Sequence, residues 1–193
     1  MKRIKESIKE FEFDVLINFV TNNDKMRQNT KDNYLKAFTL LFYSGARLNE
    51  LTQITNKDIL SLIKNKELII KTHKTKSERK IYFSDKAVKH ITKLFKEFNI
   101  DIESEQYKII RVKGNPYTTP SPIAFIQQTN KIIQSVLGKR YTSHSFRQGL
   151  ITELGTKGVN PKIIKEFMGH KDIKTTMRYI KPNEEDIRNS LTR

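Results

Sequence analysis

Apolar residues recur at helical spacing through most of this 193-residue chain and at strand spacing in only one place. No other feature constrains the fold as much, because a 3.6-residue period lines one face of a helix whereas a two-residue period lines one face of a strand. Ile4, Ile8, Phe11, Val15 and Phe19 predict a first amphipathic helix over residues 4–21. Tyr34, Leu35, Phe38 and Leu41 carry a second up to Ser44-Gly45, and residues 47–53 read as a short third. Thr55-Asn56-Lys57-Asp58 reads as a turn. The exception is "ELIIKTHKTKSERKIYFS", where residues 68–71 and 80–83 are β-rich runs joined by a basic polar tip, the pattern of a β-hairpin. Helices are expected again over 86–98 and 123–137, with a proline-bearing loop between them and Gly138 closing the second.

The C-terminal third is punctuated more tightly. Ser143 can cap a helix over 144–154, and Asn160-Pro161 is an N-cap and first-turn pair for the next, which Gly169 closes. Asp172 can cap a last short helix carrying Tyr179, ended by Pro182. Leu150, Ile151, Leu154, Ile163, Ile164, Phe167 and Met168 are expected in the core. The expected fold is mainly α with one small antiparallel β-hairpin, an α+β arrangement in a single domain over 1–193.

Charge narrows the partner. Lys and Arg total 37 against 21 acidic residues, a net charge of +16, and such an excess favours a polyanion through counterion release. The absence of cysteine excludes a disulfide framework, thiol catalysis and cysteine-ligated zinc. No apolar run approaches the length of a signal or membrane segment. The expectation is a soluble protein of the cytoplasm and its nucleoid, or of the DNA compartment of a host, acting on double-stranded DNA without a membrane.

Chemistry gathers near the end of the chain. His144 and Arg147 are three residues apart and share a helix face, His170 follows a turn glycine, and Tyr179 comes nine residues later. Far upstream, Arg47 opens the turn-to-helix element "SGARLNEL", and the hairpin tip offers Lys74 and Lys76. Arginines, lysine, histidines and a tyrosine suit the task of holding a phosphodiester while a hydroxyl attacks it. A free tyrosine has a pKa near 10, so only about one in a thousand is ionised at neutral pH. Attack therefore needs a base in reach or a strongly cationic site. Carboxylate clusters of the two-metal kind are absent from the pattern, and neither metal nor cofactor is expected.

"SGARLNEL", "HKTKSER", "HSFR", "MGH" and "RY" occur in the order, and at about the spacing, of the tyrosine recombinase (phage integrase) family, which the chain resembles from about residue 10 to its end. The resemblance implies that Tyr179 is the nucleophile and that Arg47 and Arg147 clamp the non-bridging oxygens of the scissile phosphate. It implies that His144 manages the tyrosine proton, that His170 supports the phosphate or positions the tyrosine, and that Glu50 buttresses the site. Lys74 matches the hairpin lysine that protonates the leaving 5′ oxygen, with Lys76 the competing choice. Lys71, Lys76, Arg79, Lys139, Arg140, Lys174 and Arg178 are the expected DNA contacts.

The implied activity is site-specific recombination through a 3′-phosphotyrosyl intermediate, by a protein that is a monomer in solution and a homotetramer on paired sites. Residues 183–193 read either as the short C-terminal helix that docks on a neighbour in this family or as a polar tail. The pattern departs from the family at the front: about forty residues precede Arg47, so the separate N-terminal core-binding domain is expected to be missing, as in a minimal recombinase or a catalytic fragment. Gln148 stands where the family often has histidine. Two other readings remain open. Residues 160–180 also fit a helix-turn-helix regulator without catalysis, and related tyrosine chemistry serves type IB topoisomerases.

Overall fold

The computed structural model describes residues 6–71, 78–97 and 104–180. Among them the chain forms α1 (Glu10–Thr21), α2 (Gln28–Ser44), α3 (Leu48–Leu51), α4 (Asn56–Asn65), β1 (Glu67–Lys71), β2 (Glu78–Tyr82), α5 (Asp85–Glu97), α6 (Pro122–Leu137), α7 (Ser143–Thr156), α8 (Pro161–Met168) and α9 (Ile173–Met177). The expected mainly helical fold with one small antiparallel sheet is what forms. No helix among the described residues is long and apolar enough to cross a membrane.

Helix α2 is the axis of the molecule, packing against α1, α5 and α7. Its Tyr34 and Phe38 stack on Phe125 of α6 and Phe146 of α7, with ring centroids 5.8 and 5.6 Å apart, so the aromatic column ties three helices together. Gly45 ends α2 in the left-handed conformation, φ 57°, and turns the chain directly into Arg47 and α3. The hairpin pairs Leu68 with Ile81 and Ile70 with Arg79. Leu68, Ile70 and Ile81 are buried, so Arg79, two residues from Ile81, also points inward.

The chain ahead of α1 crosses α7 closely. The Ile8 N–H donates to the Ser145 carbonyl at 3.0 Å, and a Cβ placed on Gly149 would lie 2.0 Å from the Ile8 carbonyl oxygen. Gly149 is therefore needed for approach, not for a turn.

Four expectations change. Helix α1 starts at Glu10 and buries Phe13, Leu16 and Val20, while Phe11 is 75% exposed and Phe19 lies outward. Ile8 is buried, but in the extended segment before the helix, so it sets no helical phase. Thr55 to Asp58 is a helix start and not a turn: the Thr55 N–H and hydroxyl both donate to Asp58 Oδ2 at 2.8 Å, and α4 follows. Helix α7 is capped one residue earlier than expected, by Thr142, whose N–H donates to Ser145 Oγ at 3.1 Å. Ile163, expected in the core, is exposed on α8. The caps at Asn160 and Asp172 form as expected, accepting from the N–H groups of Lys162 and Lys174 at 2.9 Å each.

Candidate active site

Among the described residues, Glu50 of α3 is the carboxylate of a cationic cluster that gathers Arg47, Arg79 of β2 and Arg147 of α7. It is 3% exposed, and its Oε1 accepts from Arg47 Nη1 at 2.9 Å, while its Oε2 accepts from the Arg47 N–H and from Arg79 Nη2, each at 2.8 Å. Burial pushes the Glu50 pKa up, but the Arg79 charge and the hydrogen bonds from Arg47 and Arg79 outweigh it, leaving the carboxyl below its ordinary value. Arg79 also donates through Nη1 to the Phe167 carbonyl at 2.8 Å, at the end of α8.

Arg147 enters the same cluster from α7 and is 1% exposed. Its Nη1 donates to the Gly45 carbonyl at 2.7 Å and its Nη2 to the Met168 carbonyl, so one guanidinium joins the C-terminal ends of α2 and α8. Burial, then the charges of Arg79 and Arg47, bring its pKa down to about 9, and at neutral pH it remains a cation. The Nε atoms of Arg147 and Arg79 have no hydrogen-bond partner among the described residues. Among the described residues the cluster holds three guanidiniums, those of Arg79 and Arg147 buried and that of Arg47 partly exposed, with the Glu50 carboxylate, +3 against −1.

His170 follows the left-handed Gly169, φ 64°, that ends α8. Its Nδ1 is 2.8 Å from Thr176 Oγ1, a fully buried hydroxyl on α9. Burial, then the charges of Arg147 and Arg47, lower its pKa to about 4, so the ring is neutral at physiological pH. Helix α9 stops at Met177, so Tyr179 lies just beyond it, and not within it as expected. The Tyr179 N–H donates to the Thr176 carbonyl at 3.0 Å, and its side chain packs on the cluster of Ile151, Ile164 and Met168. Thr176 thus holds both the His170 ring and the Tyr179 backbone.

This convergence of Arg47, Arg147, His170 and Tyr179 from four parts of the chain coincides with a match of the phage integrase family model to residues 6–186. The chain belongs to the phage integrase family. It is 26% identical over 179 residues to a tyrosine recombinase of Thermosipho africanus, a match covering 93% of this chain and 58% of that protein. The chain thus spans little more than half of that curated relative's length. Among solved structures, the Tn1549 transposon integrase in complex with a circular intermediate DNA superposes with a TM-score of 0.74 at 18% identity, covering 98% of this chain and 66% of that one. The catalytic domain of bacteriophage HP1 integrase gives 0.58 at 16% identity, with 97% and 95% covered. At these identities the structures speak to fold, and the fold of this chain is that of an integrase-family catalytic domain.

The integrase-family motif residues fall as follows. His144 is exposed in the first turn of α7, one turn from Arg147. Lys74 and Lys76 lie outside the described residues, as do residues 183–193. Of the expected DNA contacts, Lys71, Lys139, Arg140, Lys174 and Arg178 are exposed. Lys71 pairs with Glu78 at 3.2 Å and Arg140 with Glu6 at 2.5 Å. Arg79 is placed differently from expectation: its side chain is 8% exposed and both outer nitrogens are engaged inside the protein, because the inward face of β2 abuts Glu50 and α8. Thr176 carries almost no signal in the sequence. Only its position six residues after His170, on the far side of the Asp172 cap, hints at the contact.

Proposed function

We propose that this chain cuts and rejoins DNA strands at specific duplex sites through a covalent 3′-phosphotyrosyl intermediate. The observation that carries the proposal is the net double positive charge of Arg47, Arg79, Arg147 and Glu50 beside Tyr179. A phosphodiester under attack becomes a pentacoordinate dianion, and fixed guanidiniums stabilise that charge without reorganising. The Tyr179 phenolic oxygen attacks phosphorus, the phosphorus–O5′ bond breaks, and the phenolic proton passes to a base, for which the exposed His144, one turn from Arg147, is the candidate. The leaving O5′ takes up a proton, assigned by resemblance to Lys74. Attack by a free 5′-hydroxyl on the phosphotyrosine reverses these transfers and rejoins the strand. No step uses a metal or ATP.

His170 serves this reaction as a neutral donor. In the tautomer whose Nδ1 accepts from the Thr176 hydroxyl, the ring carries its proton on Nε2, the nitrogen left to bond a phosphate oxygen. Thr176→Val removes the hydroxyl at nearly constant volume and slows single-turnover cleavage about tenfold to a hundredfold, as loss of a tautomer-fixing partner does elsewhere. Thr176→Ser keeps most of the rate. Equal rates for the two variants would show that the hydroxyl does not matter.

The same ring fixes a pH dependence. An unfolded histidine titrates near 6.5 and the native His170 near 4, so between these values the unfolded chain binds a proton that the folded one does not. The stability contributed by neutral His170 is complete above pH 6.5 and is lost as pH falls towards 4. In the free protein the His170 ring resonances stay those of a neutral imidazole at pH 5.5. A midpoint near 6.5 would contradict the buried cationic setting.

We extend the proposal to assembly, with a monomer in solution and a tetramer on paired sites. In its support, an open, largely apolar groove of about 760 Å³ has Phe42, Tyr82, Leu154, Ile163 and Phe167 among its walls. The deciding experiment for the activity presents the protein with nicked duplexes carrying the sequences that flank its gene. A protein–DNA adduct stable to denaturant, absent in Tyr179→Phe although that variant still binds DNA, supports recombinase chemistry. Binding without any adduct by wild type favours a regulator, and relaxation of plasmids irrespective of sequence favours a topoisomerase.

A further inference from the structure

Arg79 lies on the inward face of β2, with its side chain 8% exposed. Its Nη2 holds Glu50 Oε2 and its Nη1 holds the Phe167 carbonyl, both at 2.8 Å. Its Cδ sits 3.1 Å from where a side chain on Gly169 would begin, so it also packs against the turn that delivers His170. Glu50 in turn takes the Arg47 guanidinium at 2.9 Å. Arg47 is the exposed member of the set, 44% open to solvent, and a guanidinium that free would sample many rotamers without an anchor. The anchor is Glu50, and Glu50 is itself fixed by Arg79.

We propose that Arg79 is a positioning residue for strand cleavage: it clamps Glu50 so that Arg47 is aimed into the phosphate site, and it ties that pair to the α8 turn that carries His170. The proposal rests on the recombinase reading of the site. Lysine cannot replace Arg79, because its single ammonium has no rigid fork to reach a carboxylate and a carbonyl in two directions at once. Arg79 is also a poorer phosphate ligand than Arg147, since its charge is paired directly with the Glu50 carboxylate, whereas Arg147 holds only neutral carbonyls. The charges of Arg79 and Arg47 lower the pKa of Arg147 together, so all three guanidiniums share one field around the reacting position.

The test compares wild type, Arg79→Lys and Arg79→Met on a nicked duplex whose scissile phosphate is either normal or a neutral methylphosphonate. On the normal phosphate Arg79→Lys slows adduct formation about tenfold to a hundredfold, as a misaimed group near the reacting atoms does. On the methylphosphonate the variant's deficit shrinks to within about threefold of wild type, since an uncharged centre gives a well-aimed Arg47 little advantage. The salt dependence of DNA binding by Arg79→Lys and Arg79→Met keeps the wild-type slope, whereas loss of a direct phosphate contact lowers it by about 1. Should Arg79→Met fail to fold, Arg79→Lys, which keeps the charge, decides. A deficit equal on both substrates marks a merely structural role and overturns the proposal, as do wild-type rates or a lowered salt slope. No adduct from wild type on either substrate overturns instead the recombinase reading beneath it.

Discussion

Replacing Arg147 by lysine slows covalent adduct formation about a hundredfold to a thousandfold while the variant still binds DNA. The guanidinium has five N–H groups, and two of its nitrogens already hold the Gly45 and Met168 carbonyls, leaving further N–H groups for an incoming phosphate. A lysine ammonium supplies charge at one point and cannot brace two carbonyls while bonding two phosphate oxygens. Losing one preorganised donor from such a site removes about 3 kcal/mol of transition-state stabilisation. The folded state is weakened as well, by about 1–3 kcal/mol for a buried carbonyl left unpaired at the junction of α2 and α8. Rates therefore need to be measured well below the variant's melting temperature, in single turnover with enzyme in excess. A rate within threefold of wild type would remove Arg147 from the reaction.

The second large effect is on stability. Gly149→Ala places a methyl 2.0 Å from the Ile8 carbonyl oxygen, closer than any real contact, and the obstacle is backbone that cannot rotate away. The segment ahead of α1 must lift from α7, stretching the Ile8 N–H bond to the Ser145 carbonyl and uncovering the buried Ile8 side chain. Overpacking of this kind and a lost hydrogen bond together lower the unfolding free energy by about 2–4 kcal/mol. Urea denaturation reads this as a lower midpoint with an unchanged slope. An unchanged midpoint would show that residues 6–9 do not hold to α7 as described.

These two residues differ in how visible they are before folding. Arg147 stands out in the sequence because His144, Gly169-His170 and Tyr179 flank it at telling intervals, and the caps around it act through neighbours two or three residues away. Asn160, Asp172 and Gly169 could be read for the same reason: their partners are local. Gly149 gave no such signal, since the chain that crosses it lies about 140 residues earlier. The phase of α1 is ambiguous in the sequence because two stripes at helical spacing overlap there, one through Phe11, Val15 and Phe19 and one through Phe13, Leu16 and Val20. Only packing against α2 chooses between them. The burial of Arg79 is hidden in the sequence for a related reason. Its place on the hairpin marks it as basic surface, and its burial follows from Glu50, 29 residues away, and from a carbonyl 88 residues away. Local sequence reports a cationic cluster near Tyr179, but which cations face DNA and which hold others in place is decided by tertiary contacts.

The central claim is that Tyr179 becomes joined to DNA, and peptide mapping tests it most directly. The protein is reacted with a nicked duplex bearing its site, digested with protease and nuclease, and the nucleotide-bearing peptide is fragmented in a mass spectrometer. The mechanism predicts a 3′-nucleotide phosphodiester on Tyr179 alone, lost in Tyr179→Phe. A nucleotide on another tyrosine or on a serine, or an adduct that survives in Tyr179→Phe, would contradict it.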